Sequence, residues 1–226
     1  LHKRREKQPM NNPIVPYLIV EAYCLVYGVA VLFRLNSSIA SQHEIQELRN
    51  VILTYFGMLI FDILSISLET YVKTTPIWIL SISNGLVLIF VTFGCFFWFA
   101  FIAARFYANV NFSRKQKLLF SIPMVLIVIF DCISMGTGWI FYIDSNGSYS
   151  VTDYFWFQVG VNYFYLLIPT VISIRRLFTC RSSERKEYLV YALYMIAPLT
   201  AGLLEDYVPT TPLLALNIFL AIHVLF

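Results

Sequence analysis

Long apolar runs separated by short polar links dominate this chain. Seven runs can be drawn: Tyr17–Leu35, Val51–Leu68, Ile77–Phe106, Leu118–Phe141, Tyr154–Ile174, Tyr188–Leu204 and one from Leu213 onward. Between Thr74 and Ala104 there is no Lys, Arg, Asp or Glu. That stretch is too apolar for a soluble surface helix and exceeds the roughly 20 residues that cross hydrocarbon. A transmembrane barrel would instead need strands of about ten residues alternating polar and apolar, a pattern these runs lack. The expectation is an all-α, polytopic membrane protein: a seven-transmembrane-helix bundle. The third run is long enough to tilt or to project past the bilayer. Lys73–Pro76, Tyr142–Tyr149 and Pro209–Pro212 carry the Pro, Gly, Asn and Asp residues of turns.

Residues 1–15 form a polar, basic segment and residues 16–226 the helical domain. The basic start, with Lys3, Arg4, Arg5 and Lys7, resembles the first part of a signal peptide. The apolar run behind it is too long for one, and no small-residue cleavage site ends it. The last run covers residues 213–226, roughly 21 Å of helix, which is short of a bilayer core of about 30 Å. The chain is therefore expected to continue beyond Phe226.

Charge adds orientation. Only 13% of residues are charged, against 59% hydrophobic, where a soluble domain carries about 25% charged residues. The links after runs one, three and five hold Arg34, Arg49, Arg105, Arg114, Lys115, Lys117, Arg175, Arg176, Arg181, Arg185 and Lys186. The links after runs two, four and six hold Lys73 alone. The positive-inside rule then puts the N-terminus outside and the C-terminus in the cytoplasm. The basic N-terminal segment argues the other way, and a six-span chain with a cytoplasmic start is the alternative topology. Cys24, Cys95 and Cys132 fall inside runs and Cys180 in a basic link, so neither a disulfide nor a zinc site is expected.

Each run also carries a carboxyl or amide group near what this topology makes its outer end. These are Glu21, Asp62, Asn84, Asp131, Gln158 with Asn162, Glu205 and Asn217. At 1.5 Å per residue Asp131 lies deepest, at roughly 15 Å, and the others between the rim and about 12 Å. Asp62, Ser65 and Glu69 share a helical face, as do Asp131 and Ser134. Tyr154, Gln158, Asn162 and Tyr165 form a third polar stripe. Polar faces inside a membrane turn toward partner helices or water and often mark a site. Plainer roles compete with that reading. Tyr and Trp at this level form an interfacial belt. Asn84 and Asn217 can serve as interhelical hydrogen bonders. Asp62 or Asp131 can be a protonated structural acid, and Glu205 at the rim can simply be solvated. His223 fits helix packing better than metal ligation.

No phosphate loop, metal-ligand cluster or nucleophile elbow occurs, so no catalytic residues, metal or cofactor are expected. No Lys follows Lys186, which excludes a retinal Schiff base in the last run. The basic links are short and lie next to the membrane, so nucleic acid is not an expected partner.

Five motifs carry a resemblance: Phe61–Ser65 (FDILS), Ser83–Asn84, Thr137–Tyr149 (TGWIFYIDSNGSY), Tyr163–Leu167 (YFYLL) and Pro198–Leu199 with Gly202. In order and spacing, from Tyr17 to Phe226, the chain resembles the seven-helix N-terminal sensor region of bacterial membrane receptors. Those receptors are fused to diguanylate cyclase (GGDEF) or histidine kinase output domains. Where relatives often carry an amide after the sixth-run glycine, this chain has Glu205. The resemblance implies a multi-pass protein of the bacterial plasma membrane that binds a small extracellular ligand and signals through its last helix. A homodimer formed through the output domain is a partner that the resemblance admits. The acids Glu21, Asp62, Asp131 and Glu205 favour a cationic ligand, with aromatic walls adding cation–π attraction. The runner-up reading is a small-solute or proton-coupled transporter, and a helix-packing scaffold is the third.

Overall fold

A computed structural model describes residues 14–35, 42–70, 75–106, 114–145, 147–182 and 184–193. The described chain is almost entirely helical. Its helices are α1 (Ile14–Leu35), α2 (Gln42–Thr70), α3 (Ile77–Phe106), α4 (Arg114–Thr137), α5 (Phe155–Thr179) and α6 (Arg185–Leu193). One hairpin of β1 (Phe141–Ile143) and β2 (Tyr149–Val151) lies between α4 and α5. Five helices, α1 to α5, are long and apolar enough to cross a membrane. The later part of the sixth run and the whole seventh, with Glu205 and Asn217, lie outside the described residues.

The helices are apolar on the outside. Along α1, Ile19, Tyr23, Val26 and Phe33 are exposed, while Glu21, Cys24, Gly28, Val31 and Leu35 form the buried face. Val26 is 71% exposed and Glu21 0%, the reverse of a soluble amphipathic helix. Lipid can cover such a face, whereas water would leave a contiguous apolar surface open.

Helix α3 is the central element, packing along α2 on one side and against α4 and α5 on the other. At 100° per residue, Ser83, Phe90 and Gly94 share one face. Ser83 donates to the Phe61 carbonyl at 3.1 Å, and Phe90 stacks on Phe61 with ring centroids 5.6 Å apart. Ser81, Gly85 and Thr92 share the opposite face. Ser81 donates to the Met135 carbonyl at 2.8 Å. Gly85 is where Met135 closes on α3 and Gly57 is where Phe90 closes on α2, and a Cβ at either glycine would overlap that side chain. The Phe90 ring is fixed by its stack on Phe61, so Gly57→Ala is expected to destabilise the fold by about 1–3 kcal/mol in reversible unfolding in detergent. Gly85→Ala should cost less, because the Met135 thioether can rotate away.

Several boundaries differ from the sequence pattern, among them the start of α2 and the ends of α4 and α5. Helix α2 begins at Gln42 rather than Val51, because its polar first turns pack as helix. Glu44, Glu47 and Leu48 are buried there, and Arg105 at the end of α3 pairs with Glu44 at 2.9 Å. Helix α4 stops at Thr137, not Phe141. Gly138 at φ +74° ends it, its N–H donating back to the Ser134 carbonyl at 2.8 Å, and only glycine adopts that φ freely. Phe141 instead begins the hairpin, pairing with Val151. That hairpin is the one departure from an all-helical architecture among the described residues. The Asp144 carboxylate accepts from the Ser148 N–H at 2.8 Å and fixes its turn. Helix α5 runs on to Thr179 past the expected end at Ile174, carrying Arg175 and Arg176 as its last charged residues.

Candidate functional site

The starts of α1, α3 and α5 and the ends of α2 and α4 meet at the hairpin end of the bundle. Tyr17 reaches Asp62 there, Ser83 reaches Phe61 and Gln158 reaches Asp131. All six of the predicted polar residues that are described therefore lie in the same half of the bundle. Hydrogen bonds tie Asp62 and Asp131 to different partners. Helix α3 stands between two groups.

The first group joins α1 to α2. The Tyr17 hydroxyl donates to Asp62 Oδ2 at 2.8 Å. Glu21, one turn along α1 from Tyr17 and fully buried, lies within side-chain hydrogen-bonding reach of Asp62. Both groups are acceptors, and neither Glu21 oxygen has a donor. Paired carboxyls in an apolar surround are tolerated when a cation or a proton offsets one charge.

The second group joins α3, α4 and α5. Asp131 of α4 is 0% exposed and Gln158 of α5 is 1% exposed. Gln158 Nε2 donates to Asp131 Oδ2 at 3.0 Å and lies 3.5 Å from the Thr92 hydroxyl of α3. Only the amide nitrogen can donate to the carboxylate, which fixes the orientation and leaves Oε1 pointing elsewhere. Asp131 Oδ1, Gln158 Oε1 and Asn162 Oδ1 are all buried and lack a hydrogen-bond partner. Asn162 is one helical turn from Gln158, so these three oxygens belong to one acceptor-rich region. Asn84 lies between the two faces of α3 and donates to the Leu80 carbonyl of its own helix at 2.9 Å.

Ser134 shows why the Asp131 end of α4 holds its position. Its hydroxyl accepts from the N–H groups of Ile140 at 2.9 Å and Phe141 at 3.2 Å. Thr152, just after β2, returns to the carbonyls of Trp139 and Ile140. The hairpin is thereby tied onto the helix that carries Asp131.

Three residues, two in this region and Tyr165 deeper in the bundle, have roles that the sequence pattern did not assign. Thr92 sits in an uncharged run with no feature to single it out. Tyr17 read as an interfacial aromatic but is the donor to Asp62. Tyr165 read as part of a polar stripe, yet its hydroxyl bridges two backbone groups of α4. It donates to the Phe120 carbonyl at 2.6 Å and accepts from the Met124 N–H at 3.1 Å.

No protein-family model, curated protein or solved structure matches the chain.

Proposed function

We propose that this chain is the sensor portion of a multi-pass receptor in a bacterial plasma membrane. It has seven spans, an outer N-terminus and a cytoplasmic output domain beyond Phe226. In this reading a small cationic ligand binds between the outer helix halves, at Asp131, Gln158 and Asn162. The observation that carries the reading is the set of buried oxygens on those three residues that have no donor partner. Acceptors left unpaired in an apolar interior are costly, and an ammonium or guanidinium group supplies both the missing donors and the opposite charge. Helix α5 carries Gln158 near its start and leads from its other end into α6, so a shift of α5 against α4 has a direct route away from the site.

A carrier would need polar groups continuing through the bundle. Below the Asp131 level the core of the described residues is instead largely aromatic. Trp98, Phe99, Phe101 and Tyr165 are buried there, with Phe99 against Phe120 at 5.2 Å and Trp98 against Tyr191 at 6.2 Å. That aromatic packing among the described residues supports a receptor over a transporter.

A thermal-shift screen of the purified chain in uncharged detergent tests the proposal, with primary amines, diamines and guanidinium compounds as probes. At a hundredfold excess over its Kd a binder stabilises the folded state by about 2.7 kcal/mol. At least one probe should raise Tm, and Asp131→Asn should abolish that rise. A wild-type protein indifferent to every probe, or a rise that survives in Asp131→Asn, would remove the basis for a ligand at Asp131.

A further inference from the structure

The bundle end opposite the hairpin has a different character. There the last turns of α5 and the first turns of α6 flank an open surface cleft of about 420 Å³, lined by Leu177, Phe178, Arg185, Lys186 and Leu189. That volume falls in the range of small-molecule sites, roughly 300–1,000 Å³. Its composition is two-sided. Leu177, Phe178 and Leu189 supply an apolar wall, with Phe178 79% exposed, and Arg185 and Lys186 supply positive charge.

Among the described side chains, nothing neutralises those charges. Among the described residues, Arg175, Arg176, Arg181, Arg185 and Lys186 are all exposed and none forms an ion pair. Arg105, at the same end of the bundle, is held by Glu44 at 2.9 Å. Glu184 is the acidic neighbour among the described side chains, and it is exposed and pairs with none of the five. An apolar wall beside unpaired cations, at the end of two adjacent helices, matches a phospholipid at the bilayer boundary. Acyl chains meet Phe178 and Leu189, and the phosphate meets Arg185 and Lys186. A neutral solute would gain nothing from the cations, and a free anion would gain nothing from the apolar wall.

We propose that the α5–α6 cleft is a binding site for an anionic glycerophospholipid, with Arg185 and Lys186 holding the phosphate and Leu177, Phe178 and Leu189 the proximal acyl chains. The inference rests on helices that cross a bilayer and is independent of the receptor reading.

The test titrates the purified full chain, in uncharged detergent, with short-chain phosphatidylglycerol, short-chain phosphatidylcholine or inorganic phosphate. Bound lipid is counted by native mass spectrometry. Phosphatidylglycerol should bind at clearly lower concentration than phosphatidylcholine, and phosphate should not compete with it at equal concentration. Arg185→Ala with Lys186→Ala should weaken phosphatidylglycerol binding by roughly five- to thirtyfold. Phe178→Ser should weaken both lipids. Lys115→Ala, an exposed cation at the same end, should leave binding unchanged. All these side chains are on the surface, so the variants keep the fold. Equal binding of the two lipids, full competition by phosphate alone, or equal losses in the Lys115→Ala and double variants would each overturn the proposal.

Discussion

Tyr165→Phe is expected to destabilise the bundle by about 1–3 kcal/mol, because it removes a hydroxyl that bonds two part-buried backbone groups of α4. The cause lies in α4. Pro123 sits inside that helix, has no N–H to offer the Leu119 carbonyl, and its ring pushes that carbonyl aside. At the next pair the Met124 N–H donates to the Tyr165 hydroxyl, which in turn donates to the Phe120 carbonyl. In a regular helix the Met124 N–H would meet the Phe120 carbonyl directly. The phenol, supplied from α5, bridges the two groups of that rung next to the proline. Lipid has no water to substitute for it. The ring itself stays packed in Phe, since Phe96 and Phe99 hold it at centroid distances of 5.5 and 5.8 Å, so the loss isolates the hydroxyl. Reversible unfolding in detergent measures the effect. A double-mutant cycle identifies the cause: with Pro123→Ala the ladder can close, and Tyr165→Phe should then cost at least about 1 kcal/mol less. Equal costs in both backgrounds would mean that the hydroxyl does not serve the broken turn.

The reach of the sequence pattern can be judged from such residues. Helix α3 was legible to the residue, because Pro76 precedes it and an uncharged run fills it. Helix α2 was drawn short, because apolarity marks the membrane and not the helix. Its first turns are polar yet buried through the Glu44–Arg105 pair, a contact between positions 61 residues apart. The hairpin was read as a turn-rich loop, since three-residue strands are too short to show a period of two. Site residues followed the same division. Depth along a helix is a matter of counting, so the level of Asp62, Asn84, Asp131, Gln158 and Asn162 was readable. Which of them meet depends on how each helix is rotated about α3, and counting is blind to that. Among the described residues the contacts join Glu21 with Asp62 and Asp131 with Gln158, and counting predicts neither pairing.

The double replacement Asp131→Leu with Gln158→Leu is expected to stabilise the fold by about 1–4 kcal/mol, the range in which buried polar groups yield to apolar ones of similar volume. The reason is an imbalance in the present structure. The pair makes one good hydrogen bond, at 3.0 Å, and one long contact to Thr92, at 3.5 Å. Against these stand the orphaned Asp131 Oδ1 and Gln158 Oε1. Each single variant behaves differently. Asp131→Leu removes the acceptor of the Gln158 amide, and Gln158→Leu removes the donor to a buried carboxylate, so each should lose about 1–3 kcal/mol. The signs of the three variants separate two roles for the pair. A structural polar clamp would lose stability in the double variant as well. A site kept for a ligand at the expense of stability would gain it, while losing any response to an amine or guanidinium probe. Unfolding midpoints of the wild type, both single variants and the double variant give the answer. A double variant less stable than the wild type would place Asp131 and Gln158 among the groups that hold the helices together.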